Sequence, residues 1–293
     1  MMNKELDLAA AVATLRDGMT IGFSGWGPRR KPMALVREIL RSDLKDLTVV
    51  GYGGPEIGML CAAGKVKRAI YGFVSLDKIP LEAHFRKARE AGTIEAEELD
   101  EGLLLLGLRA AAERVPFAPT LVGLGTDVMA NNPHLKTVTS PYDPSQVFLA
   151  MPAIYLDVAL IHVNRADRRG NTQTDGPDPY FDGLMARAAK QVIVSTEVLC
   201  DRIDESFPEG AQTSLFNRLN VSAVVHAAAG AHPTTLHNAY GWDMKHLAAY
   251  SAAAGEEGGW QAYMEQFVLP GEAAYLEKLG GAEAVARLPI PLF

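Results

Sequence analysis

The chain has 293 residues, of which 48% are hydrophobic and 22% charged, and its formal net charge is -7. Such a length buries a sizeable core, and the mild acid excess gives no footing for nucleic acid or an anionic membrane surface, which both select clustered Lys and Arg. No apolar run approaches the roughly 20 residues of a membrane span, and the opening MMNKELDLAA turns acidic and amphipathic at once, so a cytoplasmic protein without a secretory signal is expected.

Taken in chain order, a helical pattern over 4–16 leads into the apolar run TIGFS at 20–24. A second helical pattern covers 32–41 and is followed by LTVVGY at 47–52 and RAIYGF at 68–73. Helical patterns return over 80–91 and 101–114. LDVALIHV at 156–163, a helix over 180–189, QVIVS at 191–195 and VSAVVHA at 221–227 complete the series. Most of these runs are short, nearly all apolar and closed by Gly, Ser or Asn, as expected of strands buried on both faces. Their alternation with helices predicts an α/β protein, a mainly parallel sheet between two helical layers. The tail, 256–287, reads as three helical pieces broken by LPGEA and GGAEA. No linker, charge run or repeat divides the chain, so a single domain over 1–293 is expected.

Ligands of such sheets collect beyond the carboxyl ends of the strands, which directs attention to the turns. After the first strand comes SGWGPRRKP, where Gly25 and Gly27 allow tight geometry and Pro32 suits a helix start. Arg29, Arg30 and Lys31 could hold a phosphate or carboxylate together with free backbone N–H groups, or could form a solvated turn or ion pairs to a partner. After the second strand, Gly53 and Gly54 in GYGGPEIG either admit a ligand against the backbone or make a plain tight turn. Asn164, Asp167, Gly170 and Asn171, after LDVALIHV, are a dense set of turn formers and hydrogen-bonders, and turn chemistry explains Gly170 and Asn171 without any function. His162 reads as a satisfied core histidine, and the seven histidines show no metal spacing, so no metal site is expected. Cys61 and Cys200 read as buried reduced thiols without a nearby histidine. Tyr142 in TSPYD and Tyr180 in GPDPYFD are expected to pack on the sheet edge.

The stretch EELDEGLLLLGLRAAAERVPFAPT, 97–120, reads as an amphipathic helix with an acid-rich start. Glu97, Glu98 and Asp100 suit the positive end of a helix dipole, each worth a few tenths of a kcal/mol. Glu101, directly before Gly102 and the run Leu103 to Leu106, is either one more such acid or a catalytic group.

Taken together, DGMTIGFSGWGPRRKPMALVREIL, LDVALIHVNRADRRGN and RAAAERVPFAPT resemble the alpha subunits of family I coenzyme A transferases. The resemblance implies a three-layer α/β/α, coenzyme A transferase-like subunit that pairs with a beta subunit, often as α2β2. It also implies no bound cofactor, since coenzyme A arrives as part of the substrate. In succinyl- and acetoacetate-type members the helix start reads Pro-Gln-Gly, and the glutamine amide helps bind the thioester oxygen. Here it reads Asp100-Glu101-Gly102. An ionised carboxylate repels an oxyanion but can take a proton from water. GWGPRRKPMA, TVVGYGGP, AGKVKRAIYGFVSLD, DEG and DPYFD further resemble the family's ring-opening hydrolase branch of bacterial steroid degradation. That likeness implies hydrolysis of a carbon–carbon bond in a cyclic oxo-acyl-coenzyme A, with Glu101 as the catalytic glutamate. It places substrate or coenzyme A contacts at Gly25, Trp26, Gly27, Arg29, Arg30, Gly53, Gly54 and Asn171. Partial burial beside the four leucines is expected to keep Glu101 basic enough for the task. Departures from the branch lie around GTDVMANNPHLK, 125–136, and in the tail. The alternatives are a true coenzyme A transferase acting on carboxylic acids and a non-catalytic sensor on a related sheet.

Overall fold

The computed structural model describes residues 3–176, 179–203 and 213–291. Its first half comprises α1 (Leu8–Val12), β1 (Thr20–Trp26), α2 (Met33–Arg41), β2 (Leu47–Gly53), α3 (Pro55–Ala62), β3 (Val66–Val74), α4 (Ala83–Glu90), β4 (Glu95–Glu98) and α5 (Glu101–Ala112). Then follow β5 (Phe117–Thr120), α6 (Val128–Asn131), β6 (Lys136–Thr139), β7 (Val147–Pro152), β8 (Leu156–Asp167), β9 (Thr172–Gln173), α7 (Asp182–Ala188), β10 (Ala189–Cys200) and β11 (Ala223–His226). The tail carries α8 (Met244–Ala253), α9 (Gly259–Phe267), α10 (Glu272–Lys278) and α11 (Ala282–Val285). Among the described residues no helix is long and apolar enough to cross a membrane.

The main sheet runs β11-β10-β8-β1-β2-β3-β4 in parallel, with β9 added antiparallel to β8. Successive residues of a strand point to opposite faces, and both faces are covered. Val49 and Leu160 join one apolar layer with α2 and α3, while Val50 and Ile161 join the other with α5 and α7. That is the physical reason for the nearly all-apolar strand sequences. The tail docks through Glu272, whose Oε2 pairs with Arg37 at 2.7 Å. Cys61 is buried and Cys200 half-buried, both as free thiols.

Several elements depart from the sequence reading. The first helix is only Leu8–Val12, because Asp7 caps it, accepting from the Ala10 N–H at 2.7 Å. Residues 55–62, which begin inside GYGGPEIG (51–58), a segment read as a glycine turn, form α3, with Pro55 at its start and Glu56 in its first turn. The acid-rich start of 97–120 is not one helical turn. Glu97 and Glu98 belong to the edge strand β4, Asp100 caps α5, and Glu101 is the first helical residue. Residues 117–120 pair in a small antiparallel sheet, β5-β7-β6, that no apolar alternation announced. Tyr142, expected against the sheet edge, is 96% exposed.

Candidate active site

Three strand ends converge on the start of α5. At the end of β1, Gly25 has φ of 81°, and a Cβ there would lie 2.1 Å from the Arg29 carbonyl oxygen, so only glycine closes this turn. The closed turn, with the Trp26 N–H donating to the Arg29 carbonyl at 3.1 Å, points Trp26 across the sheet end. On β3, Gly72 lets the backbone of Glu101 approach; a Cβ at Gly72 would lie 3.2 Å from the Glu101 Cα. Beyond β4, the Leu99 N–H donates to the Tyr71 carbonyl at 2.9 Å, and Asp100 then caps α5 by accepting from the Leu103 N–H at 2.8 Å. The Tyr52 hydroxyl donates to the Glu101 carbonyl at 2.8 Å.

These elements border an open cleft of about 720 Å³, within the range of small-molecule sites. Trp26 and Phe73 form one wall, and Asp127, Val128 and Asn131 form the other. Five carboxylates line the cleft among the described residues, those of Asp77, Glu98, Asp100, Glu101 and Asp127, with no lining cation. The Glu101 carboxylate accepts from Trp26 Nε1 at 3.3 Å. Leu103 and Leu104 are buried while Glu101 stays exposed. Helical side chains lean toward the N-terminus, so the first residue projects past the core that follows. The burial expected beside the leucines is therefore not supplied by this chain.

The basic turn does not act as one cluster. Arg29 pairs with Asp77 at 2.9 Å and lies 4.6 Å above the Trp26 ring, behind the cleft wall. Arg30 is buried against Asp182, donates to the His162 carbonyl at 3.1 Å, and sits 4.9 Å from the ring centre of Tyr180. Lys31 is buried, 2.8 Å from Glu56 Oε1 and 2.7 Å from the Tyr52 carbonyl. Of the alternatives read from the sequence, ion pairing is the one seen for these cations, but within the chain and to three separate acids, Asp77, Asp182 and Glu56.

The remaining glycines serve close packing. A Cβ at Gly54 would lie 2.4 Å from the Gly27 carbonyl oxygen, and one at Gly53 would lie 2.8 Å from Ile57 Cδ1. Asn171 donates from Nδ2 to Asp167 Oδ2 at 2.7 Å, a turn closure that does not border the cleft. In GPDPYFD, Pro177 and Asp178 lie outside the described residues.

His162 is buried, contacting Ser195 Oγ at 2.9 Å and Glu197 Oε1 at 3.0 Å. Burial pushes the Glu197 carboxyl up, but donors at His162, Tyr240 and the Ala229 N–H outweigh it and lower its pKa. Sequence reasoning missed Glu197 because its partners come from three other segments. It also gave no role to Phe73, Asp77 or α6, although Phe73 and Asp77 fall in the YGFVSLD motif. Elsewhere Glu82 caps α4, accepting from the Phe85 N–H at 2.5 Å, and burial pushes its carboxyl up to about 7.

A family model described as Coenzyme A transferase matches residues 6–227. The chain is 49% identical over 283 residues to a Mycobacterium tuberculosis (strain CDC 1551 / Oshkosh) protein named cholesterol ring-cleaving hydrolase IpdA subunit, the match covering 94% of this chain and 96% of that one. In structure it is similar to glutaconate coenzyme A-transferase from Acidaminococcus fermentans, with a TM-score of 0.89 and 28% identity over 98% of this chain and 96% of the other. It is also similar to the decarboxylase AibA/AibB, with a TM-score of 0.79 and 30% identity over 90% of this chain and 98% of that one.

Proposed function

The chain belongs to the coenzyme A transferase family, and from that premise we propose that it is the alpha subunit of a hydrolase that opens the last ring of a cyclic oxo-acyl-coenzyme A in cholesterol degradation. The observation that carries this reading is a carboxylate, Glu101, at the start of α5 on the cleft. The likeness to a relative named as a ring-cleaving hydrolase subunit supports it.

The chemistry follows from where electrons can go. A ring ketone placed β to the thioester carbonyl is an electrophile whose neighbouring carbon–carbon bond can break. Glu101 takes a proton from water as the oxygen adds to the ketone carbon. The ring bond then breaks, its electron pair passes into the thioester as an enolate, and the enolate carbon takes a proton back from Glu101. The product is a ring-opened acid that keeps its coenzyme A thioester. No bound cofactor is needed, since coenzyme A enters with the substrate. Five carboxylates line the described cleft, so positive charge for the thioester enolate and the coenzyme phosphates is assigned to a partner beta subunit in an α2β2 assembly. The relatives are themselves named as subunits. The cytoplasm is the proposed compartment.

Glu101→Gln in the co-expressed pair tests the reading. It keeps the side chain's size and removes the base. Ring opening of a cyclic oxo-acyl thioester is expected to fall at least about a hundredfold, with near-normal melting and retained thioester binding. Normal turnover by this variant refutes the reading. The likeness to the glutaconate enzyme favours coenzyme A transfer as a second reading. An acyl donor plus a free acid, supplied to the same pair, separates the two, because only a transferase exchanges the thioester.

A further inference from the structure

We infer that Trp26 is a positioning residue for Glu101: its indole N–H holds the ionised carboxylate toward the cleft. The inference rests on the reading of Glu101 as the base and goes beyond it, giving the base a partner.

An exposed glutamate at the first position of a helix has freely rotating side-chain bonds, and nothing in its own helix fixes them. Trp26 supplies a fixed donor at 3.3 Å from Oε2. Its ring is held on both sides. Phe73 meets it edge-on, with ring centres 4.9 Å apart at 69°, and the Arg29 guanidinium covers it at 4.6 Å. Arg29 is itself tied to Asp77 at 2.9 Å. The chain Asp77–Arg29–Trp26–Glu101 therefore joins the turns after β1 and β3 to the start of α5. Indole Nε1 only donates, so its one hydrogen bond is available to a carboxylate oxygen and fixes where that oxygen sits. The cation over the ring draws electron density from it and strengthens the N–H as a donor. At 3.3 Å the bond is long, so the effect is modest beside the loss of Glu101 itself.

Trp26→Phe in the co-expressed complex keeps a ring between Phe73 and Arg29 and removes the N–H. A benzothienyl-alanine at position 26 keeps the full bicyclic shape and also lacks the N–H. Both are expected to lower kcat about tenfold, as for loss of one hydrogen bond to a charged group, with KM within about twofold. A packing role would leave the benzothienyl variant normal, and that result overturns the inference. So does a raised KM with an unchanged kcat, which makes Trp26 a substrate contact. Glu101→Gln, run in parallel, separates the two levels. If it is active, the base and its positioning residue both fall. If it is inactive while the Trp26 variants keep the parent's kcat, only the positioning role falls.

Discussion

Replacing Arg30 by Met decides whether the basic turn after β1 binds substrate or holds the fold. Arg30 is 2% exposed and its partner Asp182 is 0% exposed. Removing one member of a buried ion pair costs about 3–5 kcal/mol, because the other charge is left uncompensated. The carbonyl of His162 also loses its donor at 3.1 Å, adding about 1 kcal/mol. A loss of about 5 kcal/mol corresponds, at roughly 2 °C per kcal/mol for a chain of this size, to a melting point lower by roughly 10 °C. Asp182→Leu alone is expected to cost a similar amount. The double variant should recover most of it, since an apolar pair of similar volume is often neutral or stabilising. Thermal melts of the complex carrying each variant close the cycle. An Arg30→Met protein that melts within about 1 kcal/mol of the parent and shows a raised KM would refute this reasoning and return Arg30 to the substrate.

Burial pushes Glu82 up to about 7 from 4.5, so the folded state binds the proton more tightly than the unfolded chain. Stability from this group is complete below 4.5 and is lost as pH rises through about 7, a total of about 3 kcal/mol. Glu82→Gln should flatten that slope between pH 5 and 8, and denaturant midpoints across this window check it; an unchanged slope counts against it. The comparison must be variant against parent, because buried His246, pushed down to about 3 by burial, has the opposite sign and loses stability as pH falls from 6.5. Gly72→Ala would place a methyl group 3.2 Å from the Glu101 Cα and from Tyr52 Cε1. A displaced base is expected to lower kcat about tenfold with a melting point close to the parent's, and normal kcat in steady-state assays would show that the contact relaxes freely.

What the sequence disclosed divides by the range of the interactions. β1, β2, β3, β8, β10 and β11 were legible because a strand buried on both faces leaves an apolar run that local composition records. The three tail helices were legible from their glycine breaks. α3 was not, because Gly53 and Gly54 drew attention from Pro55 and Glu56, which together mark a helix start. β4, with sequence EAEE, carries no apolar signal at all; it pairs at the sheet edge, where charge is tolerated. The start of α5 at Glu101 was legible, because the acidic run ends there and the apolar run follows. The fates of Arg30 and Lys31 were hidden, because a charged residue reads as exposed until its partner is known. Asp182 lies 152 positions from Arg30, and no local pattern couples them.

The two walls of the cleft differ in how much change they can absorb. A methyl group at Gly25 would meet backbone at 2.1 Å and one at Gly54 would meet backbone at 2.4 Å, so the turns behind Trp26 admit no side chain without rebuilding both. The facing wall is the four-residue α6, with no fully buried residue in it, though Val128 and Met129 rest against the apolar layer beneath. Selection or design that reshapes this cleft for a bulkier ring can work through the exposed Asp127 and Asn131 at little expense to the fold, while the wall on the Trp26 side stays the same from one variant to the next.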